Sequence, residues 1–220
     1  MRERPILFSG AMVRAIIEGR KTQTRRVMKP LPINAALIGN GIALIGVMAT
    51  QGIGDEIRCP YGFPGDRLWV RETWGVGTRP DPNEGWRDGI EYRADESYLS
   101  GSDLLPLRTV STPAGITLDQ YKAGWHPSIH IPRWASRINL EITDVRVRRV
   151  AEISEEDARA EGAEPNEYAN LRPDGELRDG PSVAYRAGFH DLWDSINAKR
   201  GFGWATNPWC WCLTFKRVDP

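Results

Sequence analysis

The chain has 220 residues, of which 40 % are hydrophobic and 26 % charged; this is ordinary for a globular protein and excludes wholesale disorder. Its 29 basic and 29 acidic residues balance, so any affinity for nucleic acid or an anionic membrane has to come from a local patch. Three cysteines do not make a disulfide framework at this length, and the first residues are a poor signal peptide. No apolar stretch approaches the roughly 20 residues that span a bilayer. We therefore expect a cytoplasmic protein without a membrane span, and we expect a monomer.

The first 30 residues predict a strand, a short helix and a basic loop. Residues 6–9 are apolar, and residues 10–18 carry apolar side chains at helical spacing up to Gly19, which stands where a helix-ending glycine belongs. Between residues 14 and 29, six basic residues stand against one acid, a local net charge of +5. Such a loop is suited to binding phosphates, and a solvated charged loop is the alternative.

The middle of the chain predicts one clear strand between two irregular segments. Residues 31–60 are rich in glycine, alanine and isoleucine, which indicates an insertion or a hairpin. Residues 67–74 predict a strand, because Leu68 and Val70 alternate with arginine and tryptophan. Residues 75–124 are rich in glycine, proline, aspartate and serine, and predict a long surface excursion interrupted by a strand near residues 90–93.

A second β block is predicted over residues 128–150. Apolar residues alternate from Ile138 to Ile142, and a bend at Asp144 resets the phase. Residues 164–186 are polar and contain three prolines, which indicates another insertion.

A short helix is predicted between these two segments. Ser154 is a suitable N-cap, Asp157 can reach back as in a capping box, and Ile153 can pack on Ala158. Glu161 then lies in the last turn of the helix, where the helix dipole disfavours negative charge and suits a proton-transfer group.

The last 35 residues predict a helix and a buried strand. The helix ends near Asn197 and has apolar residues at helical spacing: Phe189, Leu192, Trp193 and Ile196. The strand has a buried face of one parity: Trp209, Trp211, Leu213 and Phe215. Cys210 and Cys212 are interpreted as small core residues.

Lys21 and Thr24 are the candidates for covalent chemistry in the basic loop. A threonine hydroxyl is a weak nucleophile unless a base takes its proton. At its ordinary pKa of about 10.4, only roughly one lysine in 2,500 is neutral at pH 7. Burial and the neighbouring charges of Arg20 and Arg25 lower that pKa and favour the neutral amine.

No metal site and no cofactor is predicted. His126 and His130 are flanked by prolines, so no helix places them on one face, and a third ligand is not apparent. Trp74, Trp125 and Trp204 lie beside glycine or polar residues and are candidates for stacking on a base, although core packing is the commoner role of a tryptophan.

The basic loop also carries a family resemblance. Residues 19–26, after a short helix, resemble the signature loop of the ASCH domains, which are relatives of the PUA RNA-binding barrels. Further matches are residues 64–72, residues 153–162 and the closing aromatic strand, and the whole chain resembles the larger ASCH proteins common in phages. The resemblance implies an α+β fold: one domain over residues 1–220 with a PUA-like small β-barrel, short flanking helices and surface insertions near 31–60, 75–124 and 164–186.

The resemblance also implies a function. A small bacterial ASCH enzyme that removes the acetyl group from N4-acetylcytidine uses a lysine and a threonine of this loop and a glutamate of the later helix. Lys21, Thr24 and Glu161 fall on these positions. The implied activity is a metal-independent hydrolase that acts on an N-acylated nucleoside, nucleotide or RNA. The implied phosphate or base contacts are Arg20, Arg25, Arg26 and Arg71.

Two other functions share the same loop. One is a non-catalytic module that binds RNA or nucleotides, and the other is a ribonuclease that uses Lys21 and a carboxylate for acid–base work. This chain is longer than the small enzyme, and its insertions lie outside the resemblance.

Overall fold

The computed structural model describes residues 1–29, 35–39, 41–45, 55–81, 85–100, 118, 121–170 and 183–218. These residues form an α+β fold, which confirms the predicted class. Its helices are α1 (Gly10–Ile17), α2 (Glu155–Ala160) and α3 (Ala184–Asn197). Its strands are β1 (Glu3–Leu7), β2 (Gln23–Val27), β3 (Ala35–Gly39), β4 (Ile42–Ile45), β5 (Asp55–Arg58), β6 (Arg67–Arg71), β7 (Trp74–Asp81), β8 (Gly85–Tyr92), β9 (Tyr98–Ser100), β10 (Gly124–His126), β11 (Asn139–Arg149) and β12 (Trp209–Val218).

The predicted PUA-like barrel is not confirmed. Each sheet of the described residues has two edge strands, and none closes on itself.

The chain divides into two compact units, one of Met1–Ile17, Asp66–Glu141 and Arg217–Pro220 and the other of Glu18–Gly65 and Ile142–Lys216. Within the described ranges, no helix is both long enough and apolar enough to cross a membrane.

The first unit contains a parallel strand pair and a separate four-stranded sheet. β1 runs parallel to β6, and the first residues of β11 pair with β6 in the antiparallel sense. The second sheet has the order β10-β7-β8-β9. Its core is a cluster of buried side chains: Trp74, Val76, Ile90, Tyr92, Leu118, Ile131, Trp134 and Ala135.

This core corrects the prediction for residues 75–81 and 85–100, which are not a surface excursion. β7 and β8 pair over eight residues each, from Trp74 opposite Tyr92 to Asp81 opposite Gly85. Only one end of each strand is buried: Val76 and Ile90 face the core, whereas Arg79, Trp86 and Asp88 at the other end are exposed. The alternation of buried and exposed residues therefore covers only part of each strand. Residues 101–117 and 119–120 of the same prediction lie outside the described residues.

The second unit is built on β2, β12 and the remainder of β11. β12 lies between the other two strands and pairs with β2 in the antiparallel sense, from Cys210 opposite Val27 to Thr214 opposite Gln23. β3, β4 and β5 form a separate three-stranded sheet within residues 31–60. The helices cover a core that includes both cysteines: Val150, Ile153, Ala158, Ala163, Phe189, Trp193, Cys210 and Cys212.

The basic segment is therefore only partly the predicted loop. Gln23–Val27 is a strand, because hydrogen bonds to β12 satisfy its backbone and carboxylates compensate its charges, although the segment has no apolar face.

The β prediction for residues 128–135 is also wrong. Prolines at 127 and 132 remove backbone donors, and Ser128–His130 and Arg133–Ala135 are 3₁₀ turns.

Other local predictions are confirmed in part. Ser154 caps α2, since its Oγ accepts a hydrogen bond from the Asp157 backbone N at 3.1 Å, but the Asp157 carboxylate does not reach back and instead contacts β2. α3 ends at Asn197 as expected, but Ile196 is exposed. Of the predicted buried face of β12, Trp209 is only half-buried. The three cysteines are buried and form no disulfide with one another.

Candidate functional site

The start of β2 meets the end of α2 through Lys21 and Glu161. The two residues, 140 positions apart, form an isolated antiparallel bridge, and the Thr22 N donates to the Ala160 carbonyl at 2.8 Å. Lys21 Nζ donates to the Glu161 carbonyl oxygen at 2.6 Å and to Glu161 Oε2 at 3.0 Å. One ammonium therefore binds both the backbone and the carboxylate of one residue.

The end of α2 explains why Glu161 can offer both groups. Glu161 is the C-cap of the helix, and Gly162 follows with φ 72°, in the left-handed region that glycine adopts without strain. The last carbonyls of a helix lack intrahelical donors, and a cation near them is favoured by the helix dipole. Lys21 supplies that cation.

Arg25 and Asp157 extend the contact into a larger network. Arg25 Nη1 donates to Glu161 Oε1 at 3.2 Å, and Arg25 Nη2 donates to Asp157 Oδ2 at 2.7 Å. Asp157 Oδ1 accepts from Gln23 Nε2 at 3.0 Å, and Gln23 Oε1 accepts from Arg146 Nη2 at 3.0 Å. We call these residues the charged cluster: Lys21, Gln23, Arg25, Arg146, Asp157 and Glu161.

The centre of the charged cluster is closed to solvent. The exposed fractions of the Lys21, Arg25 and Glu161 side chains are 0, 1 and 4 %. Burial lowers the pKa of Lys21, and the attraction of Glu161 offsets only part of that effect. The neutral amine is therefore more populated than in an exposed lysine at the same pH.

Thr24 lies beside the charged cluster rather than within it. It is buried, opposite Leu213 of β12, and strand alternation puts it on the other face of β2 from Gln23 and Arg25. Among the described residues, no hydrogen bond joins the Thr24 hydroxyl to Lys21 or Glu161. The structure thus brings together two of the three predicted catalytic residues by direct contact.

The four predicted phosphate-binding arginines have different surroundings. Arg25 is buried against two carboxylates, so a phosphate would have to displace one of them. Arg20 is half-exposed and paired with Glu18 and Glu164. Burial lowers the pKa of Arg26 against the opposing attraction of Tyr61 and Glu161.

Arg71 belongs to the first unit. Its guanidinium carbon lies 4.9 Å from the centre of the Trp69 ring, and its Nε is buried without a hydrogen-bond partner among the described residues. No described carboxylate pairs with it.

Asp157, Gln23 and Arg146 are cluster residues that sequence reasoning missed. A signal for Asp157 was available, because Asp157 and Glu161 are four positions apart on a helix and share a face. Lys21, Gln23 and Arg25 likewise share a face when the segment is a strand. Neither signal was used, because Asp157 was interpreted as a capping residue and the basic segment as a loop.

Two cavities are described in the second unit, and neither is lined by Lys21, Thr24 or Glu161. The larger, about 630 Å³, lies between residues 164–168 and α3, and the smaller, about 260 Å³, lies between α3 and Trp204.

Of the predicted base-stacking tryptophans, Trp204 lines the smaller cavity, Trp125 is exposed on β10, and Trp74 is instead buried in the core of the first unit. Over the described ranges, His, Cys, Asp and Glu residues do not group as metal ligands.

Comparisons with known proteins leave the family open. No family model matches the chain, and no curated protein matches it. Among solved structures, the chain is similar to protein EF3133 from Enterococcus faecalis V583, which carries the family description DUF984. The identity is 10 % and the TM-score 0.39, over 100 % of this chain and 82 % of that one. A TM-score this low carries no argument about fold or function.

Proposed function

We propose that the protein is a metal-independent hydrolase of N-acylated nucleosides, nucleotides or RNA, built on an ASCH-type, PUA-like core. One observation carries the proposal: the buried Lys21 amine lies 3.0 Å from the Glu161 carboxylate. A lysine with a lowered pKa beside a carboxylate is an arrangement suited to proton transfer.

In this reaction the Thr24 oxygen bonds to the acyl carbon while the bond from that carbon to the base nitrogen breaks. The neutral Lys21 amine takes the hydroxyl proton, and Glu161 delivers a proton to the departing amine. Water then cleaves the acyl-threonine ester and restores the hydroxyl. The contact between Lys21 and Glu161 gives the proton a direct path from one group to the other.

Lys21, Thr24 and Glu161 are all buried, so substrate reaches them only when neighbouring side chains move. Catalytic hydrogen bonds commonly form only with substrate bound, which accounts for the absence of a hydrogen bond between the Thr24 hydroxyl and Lys21. The competing explanation is that the charged cluster only fastens α2 to β2. Activity measurements on conservative variants separate the two.

We expect the purified protein to deacetylate N4-acetylcytidine or a related N-acylated base with a chelator present. Thr24→Val keeps the side-chain shape but removes the nucleophile, so turnover should be lost while ligand binding persists. Lys21→Arg keeps the charge but cannot supply a neutral amine, and should fail as a base. Glu161→Gln should lower kcat by roughly 100-fold or more, as is usual for loss of a general acid.

Thr22→Val is the matched control, because Thr22 is an exposed threonine two positions from Thr24. It should keep wild-type turnover. A wild-type protein that is inert on every N-acylated base tested, or a Thr24→Val variant as active as Thr22→Val, would overturn the proposal.

A second candidate, a nucleic-acid-binding module, is favoured by Arg71. Its guanidinium has no described carboxylate partner and stacks on Trp69, and arginine–aromatic pairs bind both phosphates and bases. Arg133 is its natural comparison, since it lies 5.9 Å from the same ring but pairs with Glu3 at 3.0 Å.

If this module binds single-stranded RNA, Arg71→Ala should weaken binding and reduce the slope of log affinity against log salt by about one unit. Arg133→Ala should change that slope less, because the charge of Arg133 is already compensated. Fluorescence titrations with a labelled oligonucleotide at several salt concentrations measure both. Equal slopes for wild type and Arg71→Ala would exclude a phosphate contact at Arg71.

A further inference from the structure

We infer that Asp157 is a positioning residue of the proposed site: it holds one arm of Arg25 and thereby determines how Glu161 is shared between Arg25 and Lys21. This role rests on the proposed function for its catalytic consequence, but its electrostatic part is measurable without any substrate. Nothing in the sequence pattern assigned Asp157 a role beyond helix capping.

The geometry of Arg25 carries the first step. Its two terminal nitrogens contact two different carboxylates, Nη1 to Glu161 at 3.2 Å and Nη2 to Asp157 at 2.7 Å. The shorter bond is to Asp157, so the guanidinium is held mainly by that residue. Because the guanidinium is planar and rigid, its position relative to Glu161 depends on the bond that it makes with Asp157.

The surroundings of Asp157 carry the second step. Its Oδ1 accepts from Gln23 Nε2 at 3.0 Å and lies 3.4 Å from Arg146 Nη2, while its Oδ2 is bonded to Arg25. Both oxygens are therefore bonded, which restrains the rotation of the carboxylate. Burial acts to raise the pKa of Asp157, but the hydrogen bonds from Arg25 and Gln23 outweigh it, so the carboxylate is ionised at neutral pH.

Charge balance carries the third step. The two most buried cations, Lys21 and Arg25, face two anions, Glu161 and Asp157. Without the charge of Asp157, two buried cations share one carboxylate. An arginine does not give up its proton in proteins, whereas a buried lysine does. Deprotonation of Lys21 is the least costly way to reduce the repulsion between these two buried cations. Asp157 therefore controls the charge state of Lys21 through Arg25.

Other groups of the second unit act on the same centre but do not substitute for Asp157. Arg26 of β2 and Arg146 of β11 are cations. Cys212 of β12 is a neutral thiol, because burial raises its pKa to about 11, and burial likewise raises the pKa of Cys210. None of these groups replaces the negative charge of Asp157, so its removal makes the surroundings of Lys21 more positive.

The test is the titration of Lys21 by NMR in protein labelled with ¹³C at the lysine side chains. The chain has five lysines, so the spectrum is simple, and the Lys21→Arg variant assigns the Lys21 signal. In Asp157→Asn the titration of Lys21 should move to lower pH than in wild type. Asp157→Glu restores the charge and should move it back.

Glu156→Gln is the matched control. Glu156 is the exposed acid beside Asp157 in the first turn of α2, so this variant removes a charge at the same end of the helix without touching Arg25. A Lys21 shift in Asp157→Asn no larger than in Glu156→Gln overturns the inference. If Asp157→Asn does not fold, Gln23→Met serves instead: it keeps every charge but frees one Asp157 oxygen, and a smaller shift in the same direction is required.

The catalytic readout follows only if the protein turns over an N-acylated base. The rise of kcat/KM with pH that reports neutral Lys21 should then move to lower pH in Asp157→Asn, with kcat affected more than KM. An inert wild type whose Lys21 titration still shifts rejects the hydrolase and keeps the electrostatic role of Asp157. An active enzyme whose titration and pH profile do not shift rejects the role and keeps the hydrolase.

Discussion

Replacement of Glu161 by leucine should lower the free energy of unfolding by about 3–5 kcal/mol. This is a large part of the roughly 5–15 kcal/mol by which a typical domain is stable. The reason is that Lys21, whose side chain is 0 % exposed, loses the Glu161 carboxylate that lies 3.0 Å from its ammonium nitrogen. Arg25 keeps Asp157 but loses one of its two partners. Denaturant unfolding followed by circular dichroism measures the loss.

The pH dependence of this deficit has a definite sign. In Glu161→Leu, burial lowers the pKa of Lys21 without the offset that Glu161 provides in wild type. The unfolded chain then binds a proton that the folded chain gives up, at every pH from the lowered value up to the ordinary value of 10.5. The stability of Glu161→Leu should therefore rise with pH across this window. Wild type shows the same rise only above its own, less strongly lowered Lys21 pKa, so the deficit should narrow as the pH rises from the pKa of the variant to that of wild type.

Two variants control for the loss of the side chain itself. Glu156→Leu lies in the same helix but is exposed, and should change stability by less than about 1 kcal/mol. The double variant Lys21→Met, Glu161→Leu removes both charges and should be more stable than Glu161→Leu alone. A double variant that is less stable by the full sum of the two single losses would contradict a paired, buried charge.

Replacement of Arg137 by leucine should be comparably severe in the first unit, again about 3–5 kcal/mol. Arg137 donates to both oxygens of Glu72, at 3.0 and 2.9 Å, and to both oxygens of Asp95, each at 2.9 Å. It also donates to Ser97 Oγ and lies 4.0 Å from the centre of the Tyr92 ring. Its loss leaves Glu72, whose side chain is 2 % exposed, as an uncompensated buried anion.

The deficit of Arg137→Leu should be largest at neutral pH and smaller at pH 3. Burial raises the pKa of Glu72, and the bonds from Arg137 limit that rise, so without Arg137 the buried carboxyl is most costly where it is ionised. In wild type, burial of Asp95 is outweighed by hydrogen bonds from Arg137 and Ser97, which lower its pKa to about 2. That contribution is present above pH 3.8 and is lost as the pH falls towards 2. At acid pH, both effects reduce the difference in unfolding free energy between wild type and Arg137→Leu.

Urea unfolding at pH 7, 4 and 3 checks this expectation. Arg133→Leu is the comparison, because Arg133 also pairs with a glutamate, but that glutamate, Glu3, has a side chain that is 33 % exposed and therefore pays little for losing its partner. A deficit that grows as the pH falls would show that Arg137 acts through something other than Glu72 and Asp95.

The sequence predicted best where the pattern and the local chemistry agree. α2 has a capping serine at one end and a glycine at the other, and it forms between them. β6 alternates Leu68 and Val70 with polar or aromatic residues, and it forms where expected. In these segments a few neighbouring residues determine the structure, so no distant contact has to be known.

The predictions failed where distant residues decide the structure. β2 has no apolar face, and it is a strand because of β12 and the carboxylates of α2, which lie more than 130 positions away. The strands β7 and β8 are rich in glycine and charged residues, so their composition is typical of a loop. The contact between Lys21 and Glu161 was expected from the family resemblance alone; the sequence gives no local reason for it.

The order of the second unit along the chain has a consequence for synthesis on the ribosome. Its first segment ends at Gly65 and its second begins at Ile142, so Asp66–Glu141 is made in between. At about 5–20 residues per second, the chain needs roughly 7–30 seconds to extend from Lys21 to Glu161, and longer to reach β12. Throughout that interval β2 is a basic, unpaired segment. A nascent chain of this kind remains exposed to anions, chaperones and proteases until β12, the strand that pairs with β2, emerges.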